Sequence, residues 1–419
     1  MSPVLFLVTL FLSVPVAIVL GVTATWYIWE SGNIVLYDSF AQKMFSGLEN
    51  YGLLAIPLFM LTGELMNEGG MTRRLVALAR IFVGGFRGGL AYINLLTNMF
   101  MAAIIGSATA QIAVMSRAMV PAMKQEGYEK GFAAATTAAG GLLAPVIPPS
   151  MMFVIFGVLA QIPIGEMFIS GILPGLLLAG GFALVITLIG WQQHFPKGHW
   201  MTSREATHAL VEALPALLIP LAIIGGILFG ITTPTESAAV ASLIAFLVGW
   251  LIYGDLKPRN LIEMFKRTAV NSAMILFMIA AASVFGWVII YEEIPQQLAG
   301  LVTALTANPF LFLLIVNVAL LIVGMVIDGI AAIILVTPIL LPIATGFYDI
   351  SPYQFGVVVC LNLVLGLLTP PVGIGLYISA SMSEVSPGTI LRSLWPFLIT
   401  VWLVLILLSY FPILSTLFI

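Results

Sequence analysis

Residues 141–150 read Gly141-Leu142-Leu143-Ala144-Pro145-Val146-Ile147-Pro148-Pro149-Ser150. They lie inside a long apolar run, where a membrane helix should be continuous. Three prolines and the Gly140-Gly141 pair forbid that, because proline removes a backbone donor and clashes with the preceding turn. The helix must break near the middle of its span and leave backbone polar groups unpaired. In hydrocarbon each such group costs several kcal/mol, so irregular backbone at that depth survives only inside protein or beside a water-filled cavity. Far downstream the chain does the same again, in Gly366-Leu367-Leu368-Thr369-Pro370-Pro371-Val372-Gly373.

Composition sets the frame for these breaks. Of 419 residues, 61% are hydrophobic and 8% charged, against about 25% charged in a soluble domain. The chain is a polytopic, all-α membrane protein by this reading, with the lipid bilayer as its solvent. A net charge of −3 suggests no nucleic-acid partner. The single cysteine, Cys360, reads as a small buried hydrophobe. Met1 to Leu20 is apolar without a basic leader, so it reads as a first span and not as a signal peptide.

Spans need about 20 apolar residues. They are expected at residues 3–28, 50–66, 167–192, 213–231, 236–253, 269–290 and 393–416, with broken helices at 128–159 and 353–381. Met71 to Phe82 places its arginines and its Leu75, Leu78, Ile81 and Phe82 on different faces, which predicts an amphipathic interfacial helix. Residues 88–105 and 109–123 are short and joined only by Gly106-Ser107-Ala108, which predicts a hairpin that dips into the membrane over 88–124. A second hairpin is expected at 309–345, with its tip at Asp328-Gly329. Residues 30–49, 193–212 and 254–268 read as loops, the last a basic one with Lys257, Arg259, Lys266 and Arg267. His194, His199 and His208 lack the spacing of a helical metal pair and read as a solvated loop. Thr233 and Glu236 read as a helix cap with an acid in the first turn.

The order span, span, interfacial helix, hairpin, broken span, span then occurs twice, in residues 1–192 and 233–419. Residues 193–232 supply a linker and one connecting span. That odd connector turns the second half over, so the expected architecture is a pair of inverted repeats with two re-entrant hairpins and two broken helices. With the N-terminus in the cytoplasm and the C-terminus in the periplasm, thirteen of the fifteen basic residues fall on inner segments, as the positive-inside rule requires. Lys43 falls outside and Arg117 lies within a hairpin.

Polar residues inside a membrane are functional candidates. Those near the breaks are Ser107, Thr109, Thr136, Thr137, Ser150, Asp328, Thr337 and Thr369. Hydroxyls and freed carbonyls suit a small cation such as Na+, and helix N-termini facing the same space suit an anion. The alternative is that Ser and Thr simply pack between helices. Asp328 could bind Na+, carry a proton, or cap the second arm of its hairpin. Arg117 could attract an anion or snorkel to the interface, and the second is preferred. The chain has no Gly-Lys P-loop, no HExxH and no GxSxG, so no enzyme chemistry is indicated.

Several stretches resemble one family. They are Gly106-Ser107-Ala108-Thr109, Val120-Pro121-Ala122-Met123, Gly127 to Ala139, Pro145 to Ser150, Ile56-Pro57-Leu58-Phe59 with Thr62-Gly63, Thr233-Pro234-Thr235-Glu236 and Ile294-Pro295-Gln296-Gln297. Together they resemble the large membrane subunit of TRAP (tripartite ATP-independent periplasmic) transporters. The resemblance implies an elevator-type Na+ symporter in a bacterial inner membrane. It implies two partners, a small four-helix membrane subunit and a periplasmic substrate-binding protein, and an anionic organic acid as substrate: a C4-dicarboxylate, a sugar acid or sialic acid. It also implies where the sites lie. The expected substrate residues are Ser107, Ala108, Thr109, Pro148, Ser150, Asp328, Gly329 and Pro371. The expected Na+ residues are Ser107, Gly140, Ala144, Pro145, Asp328, Gly329, Gly366, Thr369 and Val372. An uncoupled channel or facilitator on the same scaffold is the alternative.

Overall fold

The computed structural model describes residues 2–12, 14–32, 35–193 and 195–419. Its helices in chain order are α1 (Ser2–Phe11), α2 (Val16–Ser31), α3 (Val35–Ser46), α4 (Ala55–Glu68), α5 (Met71–Val83), α6 (Gly89–Ile105), α7 (Ala108–Gln125), α8 (Lys130–Gly141), α9 (Met151–Ala160) and α10 (Ile164–Gln193). The second half runs α11 (Ser203–Leu228), α12 (Pro234–Leu247), α13 (Pro258–Tyr291), α14 (Ile294–Leu305), α15 (Pro309–Val326), α16 (Gly329–Tyr348), α17 (Pro352–Gly366), α18 (Ile374–Ser383), α19 (Pro387–Tyr410) and α20 (Ile413–Thr416).

Among the described residues seven helices are long and apolar enough to cross a membrane: α10, α11, α12 with its continuation to Ile252, α13, α15, α16 and α19. The pair α3 and α4, bent by 51° at a short break, makes an eighth. The chain is therefore a multi-pass membrane protein. The helices at both proline-rich stretches fall outside that count because each is broken, into α8 and α9 and into α17 and α18.

The reason such breaks survive is visible in burial. Every residue of α8 from Gly131 to Gly141 is buried, and so is every residue of α17 from Gln354 to Gly366. The two half-helices form the centre of the bundle, so the first break stays within protein from Leu142 to Ser150, while the second is covered at Leu367 and Leu368 and opens outward at Pro371 and Val372. Alanines and glycines dominate α8, and small side chains let neighbouring backbones approach closely. The two breaks are built alike. Leu142, Leu143 and Ala144 donate to Ala139, Gly140 and Gly141, while Leu367, Leu368 and Thr369 donate to Val364, Leu365 and Gly366. A cis Pro148-Pro149 bond and a cis Pro370-Pro371 bond follow.

Several expected boundaries need correction. The first span, 3–28, is two helices, because Pro15 stands between them and starts α2. The expected loop 30–49 is mostly α3. The polar linker is helical from Ser203, where Thr202 and Glu205 form a reciprocal capping box, so His208 sits on a helix beside Glu212 at 3.6 Å. His199 lies on the chain before it, and His194 is outside the described residues. The basic loop is shorter than expected: α13 begins at Pro258, a favoured first helical residue, and carries Arg259, Lys266 and Arg267 within it. Three expectations agree with the structure. Met71–Val83 is a helix that buries Met71, Leu75, Leu78 and Ala79. Thr233 and Glu236 form a second capping box. Cys360 is buried.

Candidate functional site

The first hairpin turns in two residues. Gly106 ends α6 at φ +61, a left-handed conformation for which glycine has no steric penalty. A Cβ there would also meet the Met151 backbone nitrogen at 3.2 Å, so the first break presses directly on the tip. Ser107 starts α7, and its hydroxyl lies 3.2 Å from that of Thr109. The second hairpin turns at Asp328, whose carboxylate accepts from the Ile330 backbone N–H at 3.1 Å and so caps α16. Capping uses one carboxylate oxygen and leaves further acceptor capacity.

The tips meet. Gly106, Ser107, Ala108, Thr109, Asp328, Gly329 and Ile330 surround a cavity of about 20 Å³ together with Pro145 and Met152 of the first break and Leu367 of the second. That is room for one water-sized species. Two hydroxyls and a carboxylate are hard oxygen donors, and they fit a small monovalent cation of the kind bound at unwound helices in transporters. The N-termini of α7 and α16 end at the same cavity, and their dipoles favour negative charge, which the Asp328 carboxylate supplies at the start of α16.

A cleft of about 450 Å³ leads away from the tips. One wall is the hairpins, with Ser107, Thr109, Ala110, Val114, Asp328, Ile330 and Ala331. The other is α4 and α13, with Gly63, Glu64, Asn67, Thr268 and Asn271 among its residues. Gly63 lets α4 pack close to the first hairpin: a Cβ there would stand 3.0 Å from the Ile104 carbonyl oxygen. At the end of the cleft Arg267 bridges Glu64 at 3.1 Å and Glu68 at 3.0 Å. Beyond it Asp255 takes Arg74 at 2.9 Å and Arg73 at 3.1 Å, and Arg74 lies 3.6 Å over the Tyr253 ring. The hydrogen bond from Arg74 holds the Asp255 carboxyl below its ordinary pKa.

Of the expected site residues, Ser107, Ala108, Thr109, Pro145, Asp328 and Gly329 share the small cavity. The others lie elsewhere. Pro148 lines a narrow apolar groove with α10 and α11. Ser150 caps α9 and donates to the Pro145 carbonyl at 2.6 Å. Gly140 packs on Asn98, and Gly366 on Gly324. Ala144 is buried, Thr369 donates to its own helix at Leu365, and Pro371 and Val372 are exposed. The second break is instead tied to the hairpin through Gly373, whose N–H donates to Met325 at 3.2 Å.

Buried amides escaped the sequence reading. Asn98 donates to both the backbone and the side-chain oxygen of Asn94 at 2.9 Å, and Gln111 donates to both oxygens of Asn98 at 2.9 Å, which ties the two arms of the first hairpin together. Asn94 continues to Thr137 on α8 at 2.7 Å. In the second half Asn362 of α17 donates to both oxygens of Asn317 at 2.9 Å, and Asn317 to Ser409 at 3.0 Å. The available signal was an amide pair at i, i+4 in an apolar helix, Asn94 and Asn98, on the face that meets α7 and α8.

Known proteins agree with this architecture. Residues 4–414 match the family model described as the tripartite ATP-independent periplasmic transporter, DctM component. The sialic acid TRAP transporter large permease of Vibrio cholerae is 36% identical over 372 residues, 89% of this chain and 87% of that protein. The C4-dicarboxylate TRAP transporter large permease of Pseudomonas aeruginosa is 37% identical over 381 residues, 90% of this chain and 88% of that protein. Among solved structures, the YdaH transporter of Alcanivorax borkumensis shares the fold at a TM-score of 0.66 and 16% identity, over 91% of this chain and 89% of that one. With its broken helices, its meeting hairpins and these relatives, the chain belongs to the DctM family, the large permease components of tripartite ATP-independent periplasmic transporters.

Proposed function

We propose that this permease carries out Na+-coupled uptake of an anionic organic acid across a bacterial inner membrane, with a periplasmic binding protein delivering the substrate and a small four-helix membrane subunit completing the complex. The observation that carries the reading is the oxygen-lined cavity where both hairpin tips meet both breaks, at the head of a cleft. The substrates named for relatives, sialic acid and C4-dicarboxylates, are organic anions, which supports that class here.

In this account Ser107, Thr109 and Asp328 hold the cation. Bound there, Na+ supplies positive charge that the substrate carboxylate needs beside it. The N-termini of α7 and α16 orient that carboxylate, and the cleft takes the rest of the solute. The halves are inverted repeats, residues 1–192 and 233–419, joined by residues 193–232. The positive-inside rule places Arg73, Arg74, Lys257 and Arg267 in the cytoplasm, so the cleft opens inward as it stands. Hairpins and broken helices move together, elevator-fashion, against α4 and α13.

The test is uptake by the reconstituted complex with Ser107→Ala and Asp328→Ala. Each is expected to lower Na+-dependent uptake and to raise the Na+ concentration for half-maximal rate. Wild-type Na+ dependence in both variants would remove these residues from the cation site.

A further inference from the structure

Hydroxyls on these helices usually donate to the carbonyl four residues back, as Thr62, Thr337 and Thr369 do. Thr268 does not. It is 6% exposed, lines the cleft, and its hydroxyl has no hydrogen-bond partner. A buried polar group without a partner is costly, and in a cleft it calls for a ligand. One turn away Asn271 lines the same wall, and Asn67 faces the cleft from α4. The nearby Glu64 is paired with Arg267.

Beyond the last lining residue of the hairpin wall, α7 carries a cation. Ala110 and Val114 of α7 line the cleft, and Arg117 follows three residues after Val114 on the same face, about 4.5 Å further along the helix. Its side chain is exposed and its Nε donates to Met382 Sδ at 3.0 Å. Among the described residues no carboxylate pairs with it. Unlike Arg267, whose charge Glu64 and Glu68 take up, it keeps its charge uncompensated among the described residues.

We propose that this lip is a second, carboxylate-binding subsite on the release path, distinct from the cavity at the tips. Thr268 and Asn271 donate hydrogen bonds to the carboxylate, and Arg117 supplies the opposing charge. The subsite rests on the reading that the cleft carries an organic anion. It gives the substrate a place to go when the cation leaves the tips, and it makes the exit selective for negative charge.

The test uses the full complex with its small subunit in phosphatidylcholine nanodiscs. Cys360 is buried, so Asn271→Cys and Asn67→Cys each report one accessible thiol. Labelling rates are compared for a sulfonate-bearing and a trimethylammonium-bearing methanethiosulfonate, each normalised to a free thiol in solution. The anionic reagent is expected to react faster at both positions. Arg117→Gln should lower the anion-to-cation ratio about fivefold, the effect of one unit charge across about 8 Å of water acting with opposite sign on the two reagents, and Arg117→Lys should restore it. Acetate should protect Asn67→Cys relative to chloride at equal ionic strength, and Thr268→Val should abolish that protection. A cationic preference, or a ratio that Arg117→Gln leaves unchanged, overturns the subsite. Protection that survives Thr268→Val overturns the role of Thr268. Anionic labelling that slows when phosphatidylglycerol is added would reassign the site to a lipid headgroup, against the proposal. Labelling does not require transport, so failure here and failure of Na+-coupled uptake are separate results.

Discussion

Gly366 offers the sharpest test of how the second break is held. A Cβ at 366 would lie 2.4 Å from the Gly324 carbonyl carbon and 2.6 Å from its Cα. Ordinary contact begins near 3.4 Å, so Gly366→Ala must push α15 and α17 apart by about 1 Å. Both partners are backbone, and no side chain can swing aside. Overpacking of this kind costs about 1–3 kcal/mol. The displaced arm carries Asp328 four residues later, and a misplacement of about 1 Å at a reacting site can lower its rate by about a hundredfold. The assay is paired: thermal unfolding of the purified complex and initial uptake into proteoliposomes. Gly366→Ala is expected to lower the midpoint by several degrees and uptake by at least about tenfold. Gly346→Ala is the control. It sits in α16 with no atom within 4 Å of the added Cβ, so it should be neutral or stabilising by about 0.5–1 kcal/mol. Wild-type stability and uptake in Gly366→Ala would refute the close crossing of α15 and α17.

Three further outcomes follow from the polar contacts. Asn98→Ala removes the side-chain acceptor of Gln111 and the amide that donates to Asn94, while the residue 98 carbonyl still takes a Gln111 N–H, and is expected to destabilise by about 0.5–1.5 kcal/mol; a double-mutant cycle with Gln111→Ala should show coupling, and additive effects would count against the network. Ser150→Ala removes the cap of α9 and should cost about 1 kcal/mol, read as a lower unfolding midpoint with Na+ dependence retained. Asp255→Asn tests the ion pairs on α5. Because Arg74 lowers the Asp255 pKa, the stability it contributes is present above the ordinary carboxylate value and lost as pH falls through the lowered one. The difference between wild type and Asp255→Asn should therefore be under about 1 kcal/mol at neutral pH and disappear in acid, below the ordinary value of 3.8. A difference that grows in acid would contradict the pairing.

The breaks were legible because proline and glycine act locally. Pro145, Pro148 and Pro149 stop α8 whatever surrounds them, and Pro370 and Pro371 stop α17. The hairpin tips were legible for the same reason, at Gly106-Ser107 and Asp328-Gly329. Helix extents around charged residues were not. Lys266 and Arg267 read as loop by polarity, yet Arg267 sits on α13 because Glu64 and Glu68 of α4 neutralise it, a contact nearly 200 positions apart that no local window sees. Site membership divided along the same line. Ser107 and Asp328 reach one cavity because turn chemistry puts them at the tips. Pro371 and Val372 belong to a legible break but face outward, since the direction in which an irregular segment points depends on its neighbours. The amides Asn94, Asn98, Asn317 and Asn362 were written in the chain, but their partners lie on other helices.

The most direct test of the account is substrate uptake into proteoliposomes. They hold this chain with its small subunit and receive purified binding protein, with and without an inward Na+ gradient. Concentrative uptake that needs both the gradient and the binding protein is predicted. Uptake that only equilibrates and ignores both would contradict it and make the broken helices the lining of a passive pore.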